Sequence, residues 1–198
     1  MCIARLPGGG LFVHNAVMVD DATRAAIDAL GPVEFIFVPN KFHDMDGGKM
    51  KALYPAAKLV ALEATRALKA KKFPDIEVLD PGKLPDSVRV EKIPGLKHDE
   101  CVMEVHSRSG FTLVLTDALF NLAPMPGFTG LMLKVFGSIG PLKLTKIGRL
   151  GLLGDAKQFR DYLTQTAERT DVKRILVSHG EPVERDIAAA LRAAAAGV

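Results

Sequence analysis

Residues 33–48, VEFIFVPNKFHDMDGG, constrain the fold of this chain more than any other stretch. The stretch opens with Val33, Phe35, Ile36, Phe37 and Val38, β-branched and aromatic residues at a density that predicts a buried strand. Pro39-Asn40 stops that strand, and His43, Asp44 and Asp46 then crowd into a short loop before Gly47-Gly48. A strand running into such a loop presents it at the carboxyl edge of a sheet, where α/β proteins usually place their sites. The loop is therefore read as the centre of a metal or small-molecule site.

The rest of the chain alternates strand and helix signals around this stretch. Residues 1–6 and 11–14 flank Pro7-Gly8-Gly9-Gly10 and predict a strand, a turn and a strand. Asp20-Asp21 offers a cap for a helix that Gly31-Pro32 ends. A short helix is expected over 49–54, a strand over 59–61 and a helix over 63–72. Three prolines break 73–85 into strand and turn, and 88–93 alternates as a half-buried strand does. Residues 101–106 and 111–116 predict a hairpin. Asp155 caps a helix to about 169, a last strand covers 175–178, and a last helix covers 182–195.

Length and composition narrow the classes. A chain of 198 residues suits one domain, 1–198, with room for a sizeable core. A net charge of +3, with no Lys/Arg run interleaved with aromatics, argues against a nucleic-acid partner. Two cysteines, Cys2 and Cys101, allow no disulfide framework and no CxxC zinc motif. The N-terminus lacks the apolar core of a signal peptide, and no apolar run is long enough for an integral membrane segment, so a cytoplasmic protein is expected.

The strand with its His/Asp loop and Gly-Gly resembles the metallo-β-lactamase superfamily, whose motif is His-x-His-x-Asp-His followed one residue later by Gly-Gly. Registered on Gly47-Gly48, Asn40, Phe42 and Met45 stand where that family has histidines, Asp44 stands on its aspartate, and His43 on a variable position. Further landmarks follow in order. Pro94-Gly95-Leu96 resembles the family's Pro-Gly-His, with His98 two residues on. The apolar run 113–116 ends in Asp117, matching an aspartate that bridges two metals, and Ser178-His179-Gly180 matches the last histidine ligand. The chain is also similar to a small branch of the superfamily that reads Pro-Asn-x-x-His-His, Thr-Asp-Leu and a late His-Gly. The resemblance spans about 5–183.

The resemblance implies a four-layer αββα sandwich. It also implies a site in which the first metal's set, at Asn40, Phe42 and Leu96, is gone. The second keeps Asp44, Asp117 and His179, with His43 or His98 as a fourth ligand. Three protein ligands plus water is the usual shape of a catalytic zinc site, and a carboxylate-rich set also suits iron or manganese. One divalent metal (Zn, Fe or Mn) is thus expected, with Asp44 as ligand and as the group that orients or deprotonates water. A metallo-hydrolase acting on a small-molecule ester, lactone, thioester or phosphoester follows. The competing expectation is a metal-free binding module for a small molecule or a partner protein, which the missing histidines favour.

Local readings stand beside these. Asp44 and Asp46 could cap the helix after Gly48, and His14 and His106, on strands, are read as structural. Residues 118–154 contain no acidic residue and carry Lys134, Lys143, Lys146 and Arg149 among apolar side chains. The favoured expectation is helices packed on a sheet with the basic residues solvated; self-association or an apolar contact through 118–154 is the alternative.

Overall fold

The computed structural model describes residues Met1–Val198, which divide into two compact units, Met1–Arg89 and Val90–Val198. The first carries a five-stranded sheet in the order β1-β2-β3-β4-β5, with β1 (Cys2–Arg5), β2 (Leu11–His14), β3 (Val33–Phe37), β4 (Lys58–Ala61) and β5 (Glu77–Val78). β1 and β2 form the expected antiparallel pair, and β2 through β5 run parallel. The central stretch is the central strand: β3 lies between β2 and β4, with Ile36 opposite Val13 and Leu59. Leu11, Val13, Ile36, Val38, Leu59 and Ala61 form the core of this unit, joined by Ile27 from α1 (Asp21–Leu30) and Met50 from α2 (Gly47–Leu53). Asp20 caps α1 as expected, accepting from the Thr23 N–H at 2.8 Å. The third helix, α3 (Glu63–Lys69), ends three residues before the expected 72.

The second unit holds a four-stranded sheet in the order β11-β8-β7-β6, its edge strand β6 (Val88–Lys92) lying at the boundary. β7 (Cys101–Ser107) and β8 (Gly110–Leu115) form the expected hairpin, and β11 (Val172–Val177) runs parallel to β8. His106 sits exposed near the hairpin tip, opposite Phe111 and stacked on its ring at 4.6 Å. β9 (Phe120–Leu122) and β10 (Gly140–Lys143) pair separately. Phe159 and Leu163 of α6 (Ala156–Ala167) and Leu191 of α7 (Ile187–Ala196) bury against Val102, Leu113, Leu115 and Ile175. Asp155 caps α6 as expected, accepting from the Gln158 N–H at 3.0 Å.

Two expectations require correction. The last helix begins at Ile187, not at 182, because Val183 exchanges backbone hydrogen bonds with Ile175 at 2.8 and 2.9 Å and Asp186 is left-handed at φ 48°. Residues 182–186 read as helix by composition, but the pairing of Val183 with β11 and the left-handed Asp186 keep them out of it. In 118–154, α4 (Gly127–Val135) and α5 (Lys146–Gly151) do form, but they do not simply bury their apolar faces: Phe128, Leu131, Val135, Ile147 and Leu150 are exposed along with Lys134, Lys146 and Arg149.

Candidate functional site

In the first unit, β3 delivers the polar loop. Asn40, standing where the resemblance would put a histidine, is buried, and its Oδ1 accepts from the backbone N–H groups of Phe42 at 2.8 Å and His43 at 3.0 Å. Such an Asx turn fixes the loop's backbone. Phe42 and Met45 point outward, with Lys41 over the Phe42 ring at 4.8 Å. His43 is half-buried.

Asp44 is buried, and its Oδ2 lies 2.9 Å from the ammonium groups of both Lys69 and Lys72. Burial acts against the charge of Asp44, but the hydrogen bonds and positive charges of the two lysines outweigh it and hold the carboxyl below its ordinary value. Its negative charge is thus already matched by the protein. Asp46 precedes α2 without capping it through its side chain. It accepts instead from Lys49 at 2.8 Å and from the Met18 N–H at 3.1 Å.

In the second unit, β8 and β11 end side by side. Leu115 pairs with Val177 in the parallel register, so Asp117 and His179 each stand two residues beyond a paired position. The Ser178 N–H donates to Leu115 O at 3.0 Å and carries the pairing to the edge. The result is a contact of 3.2 Å between His179 Nε2 and Asp117 Oδ1, with the His179 ring stacked on Phe120 at 4.3 Å. These two expected site residues, far apart in sequence, are brought together. His98 is not brought to them: it sits exposed in a left-handed turn at φ 61°. Leu96, on the lost histidine position, bridges to Leu153 and packs on the core.

Sequence reasoning missed the residue that shapes this edge. Glu100 is 1% exposed, and its Oε1 accepts from Thr116 Oγ1 at 2.8 Å, the Asp117 N–H at 2.9 Å and the Ala118 N–H at 3.2 Å. One carboxylate oxygen therefore fixes the turn that carries Asp117. The only sequence signal was an acidic residue directly before an apolar strand. Lys69 and Lys72 were missed for a similar reason, since a helix-forming stretch does not announce which of its lysines turn inward.

Gly180 fixes the other half. Its φ of 118° is disfavoured for any side chain, and a Cβ there would lie 1.9 Å from Asn121 O. The close approach is needed because Asn121 O accepts from the Glu181 N–H at 3.0 Å while the Asn121 N–H donates to His179 O at 3.0 Å. Gly180→Ala is expected to lower stability by roughly 2–4 kcal/mol, read as a fall in the thermal midpoint. A midpoint within a degree or so of wild type would show that the His179 loop does not depend on this approach.

No protein-family model matches the sequence, and no curated protein matches it. Solved structures do match. A metallo-β-lactamase from Pontibacter korlensis is 15% identical, with 99% of this chain and 86% of that one covered at a TM-score of 0.58. A metallo-β-lactamase from Hirschia baltica is 16% identical, covering 98% and 84%, with a TM-score of 0.57. The metallo-β-lactamase FIM-1 from Pseudomonas aeruginosa, solved in its mono-zinc form, is 14% identical, covering 98% and 82%, at 0.60. At such identities the likeness carries the fold and not the activity. With its strand order, its polar loop after β3 and the paired ends of β8 and β11, this chain is a divergent protein of the metallo-β-lactamase fold, in the four-layer αββα class expected from its sequence.

Proposed function

We propose that the chain is a divergent member of the metallo-β-lactamase superfamily: a single-domain, cytoplasmic hydrolase whose site takes one divalent metal, zinc before iron or manganese. It would act on a small-molecule ester, lactone, thioester or phosphoester. The observation that carries the reading is the 3.2 Å contact between His179 Nε2 and Asp117 Oδ1. Two ligand atoms bound at about 2.0–2.2 Å in a tetrahedral shell lie roughly 3.4 Å apart, so this pair is spaced as one edge of such a shell. His43, which the sequence offers beside Asp44, is kept as the proposed third ligand. Asp44 and His98 are left out, because Asp44 is neutralised by Lys69 and Lys72 and His98 faces outward. The first metal's set does not fit a metal at all, since Asn40 is spent on its own loop and Phe42 and Leu96 have no donor atom. One of the solved relatives is likewise described with a single zinc.

When bound, the ion would supply a Lewis acid that acidifies water and polarises a carbonyl or phosphoryl oxygen. The chain's own groups do the rest. Glu100 holds the Asp117 backbone, so the carboxylate needs little reorganisation to meet a cation. Phe120 restrains the His179 ring against rotation.

The test is the thermal midpoint with and without Zn, Mn or Fe(II). A hundredfold excess over the dissociation constant should add about 2.7 kcal/mol of stability. For a chain of this length that is roughly 5–10 °C. Asp117→Asn and His179→Ala should abolish the rise, His43→Ala should reduce it, and His106→Ala should leave it intact. The rise should shrink at acid pH as the ligands take protons. If no metal moves the wild-type curve, the hydrolase reading fails. The binding module then stands, as the replacement of the first metal's donors already favours, and organic small molecules become the ligands to screen.

A further inference from the structure

Residues 118–154 present an apolar and basic face that the proposed hydrolysis does not use. On α4, Phe128, Leu131 and Val135 recur at helical spacing and are 77%, 58% and 58% exposed. A helix stripe of this kind normally faces a core. On α5, Ile147 and Leu150 are likewise one turn apart, and Leu150 is 85% exposed. Gly137 ends α4 in a left-handed turn at φ 67°, and the Lys146 stem lies against it, so α5 starts beside the end of α4. Lys134 and Lys146 stand exposed among these apolar residues.

The charge of the face says what it would meet. Residues 118–154 contain four basic side chains and no acidic one. Arg149 is turned to the carbonyls of Gly197 and Val198, and Lys143 to that of Ile139, which leaves Lys134 and Lys146 facing outward. A second copy of the chain is a poor partner, because a two-fold pairing sets the same face on itself and brings lysines together with no acid between them. An anionic bilayer surface satisfies both parts. Its headgroups pair with lysines, and its acyl boundary accepts the Phe and Leu side chains of a short helix lying in the interface plane.

We propose that α4 and α5 form a docking face for an anionic lipid surface, through Phe128, Leu131, Val135, Ile147 and Leu150 with Lys134 and Lys146. The full chain is expected to co-sediment with phosphatidylcholine vesicles that contain phosphatidylglycerol, and far less with phosphatidylcholine alone. Added salt should weaken the binding. Leu131→Asp should remove it, and Lys134→Glu with Lys146→Glu should weaken it at least about tenfold. These side chains are exposed, so the variants should melt where the wild type does; if Leu131→Asp does not, Phe128→Ser replaces it. The proposal is overturned if the wild type binds neither vesicle at low salt, or binds both equally. It is also overturned if Leu131→Asp turns a dimer of the free protein into a monomer while vesicle binding is absent.

Discussion

Stability should fall as the pH is lowered from about 7 to about 5, and His14 should account for the fall. This histidine is buried on β2 against the Phe37 ring, with centroids 5.6 Å apart, and its Nε2 meets no hydrogen-bonding group of the protein. Burial is the main cause that pulls its pKa down to about 3, with the positive N-terminus and His43 adding to it and a backbone hydrogen bond opposing. The unfolded chain takes up this proton near the ordinary 6.5, and the folded protein does so only near 3. Between these values the unfolded state holds more protons, so the stability present above 6.5 is lost as the pH falls, at roughly 1.4 kcal/mol per pH unit. His14→Phe keeps a ring in this packing and removes the proton. Urea midpoints at about pH 7 and about pH 5 should differ strongly in the wild type and little in this variant. Parallel pH profiles would remove His14 as the cause. Asp44 does not confuse the result: its carboxyl is held below the ordinary 3.8, so its contribution survives until the pH falls through that lower range.

Glu100→Ala should lower stability by roughly 3–5 kcal/mol and disorder the Asp117 turn. The substitution leaves the Thr116 hydroxyl and the Asp117 and Ala118 N–H groups without their common acceptor at a buried edge. Each unsatisfied buried donor costs about 1–3 kcal/mol, and the release of a buried carboxylate offsets part of the total. Glu100→Gln retains an acceptor oxygen of the same reach and should lose less than half as much. The measurement is the denaturant midpoint together with the metal-induced rise in thermal midpoint. Glu100→Ala should also weaken that rise, because Asp117 is no longer aimed. If Glu100→Ala and Glu100→Gln lose stability equally, the three hydrogen bonds are not what the residue contributes.

Much of the fold was legible in the chain because its signals are local. The apolar density of 33–38, the caps Asp20 and Asp155 and the alternation of 101–116 each depend on a few neighbouring residues, and each element formed close to its expected bounds. The last helix failed where locality failed. Val183, in what reads as its first turn, is paired instead with Ile175 of β11, a partner that a local window around 182 does not use.

The candidate site divides in the same way. That Asp117 and His179 follow apolar strands is written in the sequence, and so is the loss of donor atoms at Phe42 and Leu96. That they stand 3.2 Å apart comes from the parallel pairing of β8 with β11, in which Leu115 and Val177 are partners. The function of Glu100, the capture of Asp44 by Lys69 and Lys72, the unpartnered nitrogen of His14 and the exposed stripe of α4 were decided only by the tertiary structure. The physical reason is common to all four. Backbone preference and apolar periodicity act over a turn of helix or a strand's length and can be read along the chain. A charge, a buried donor or an apolar stripe takes its meaning from what the fold sets against it or leaves open, and that is decided beyond any local window.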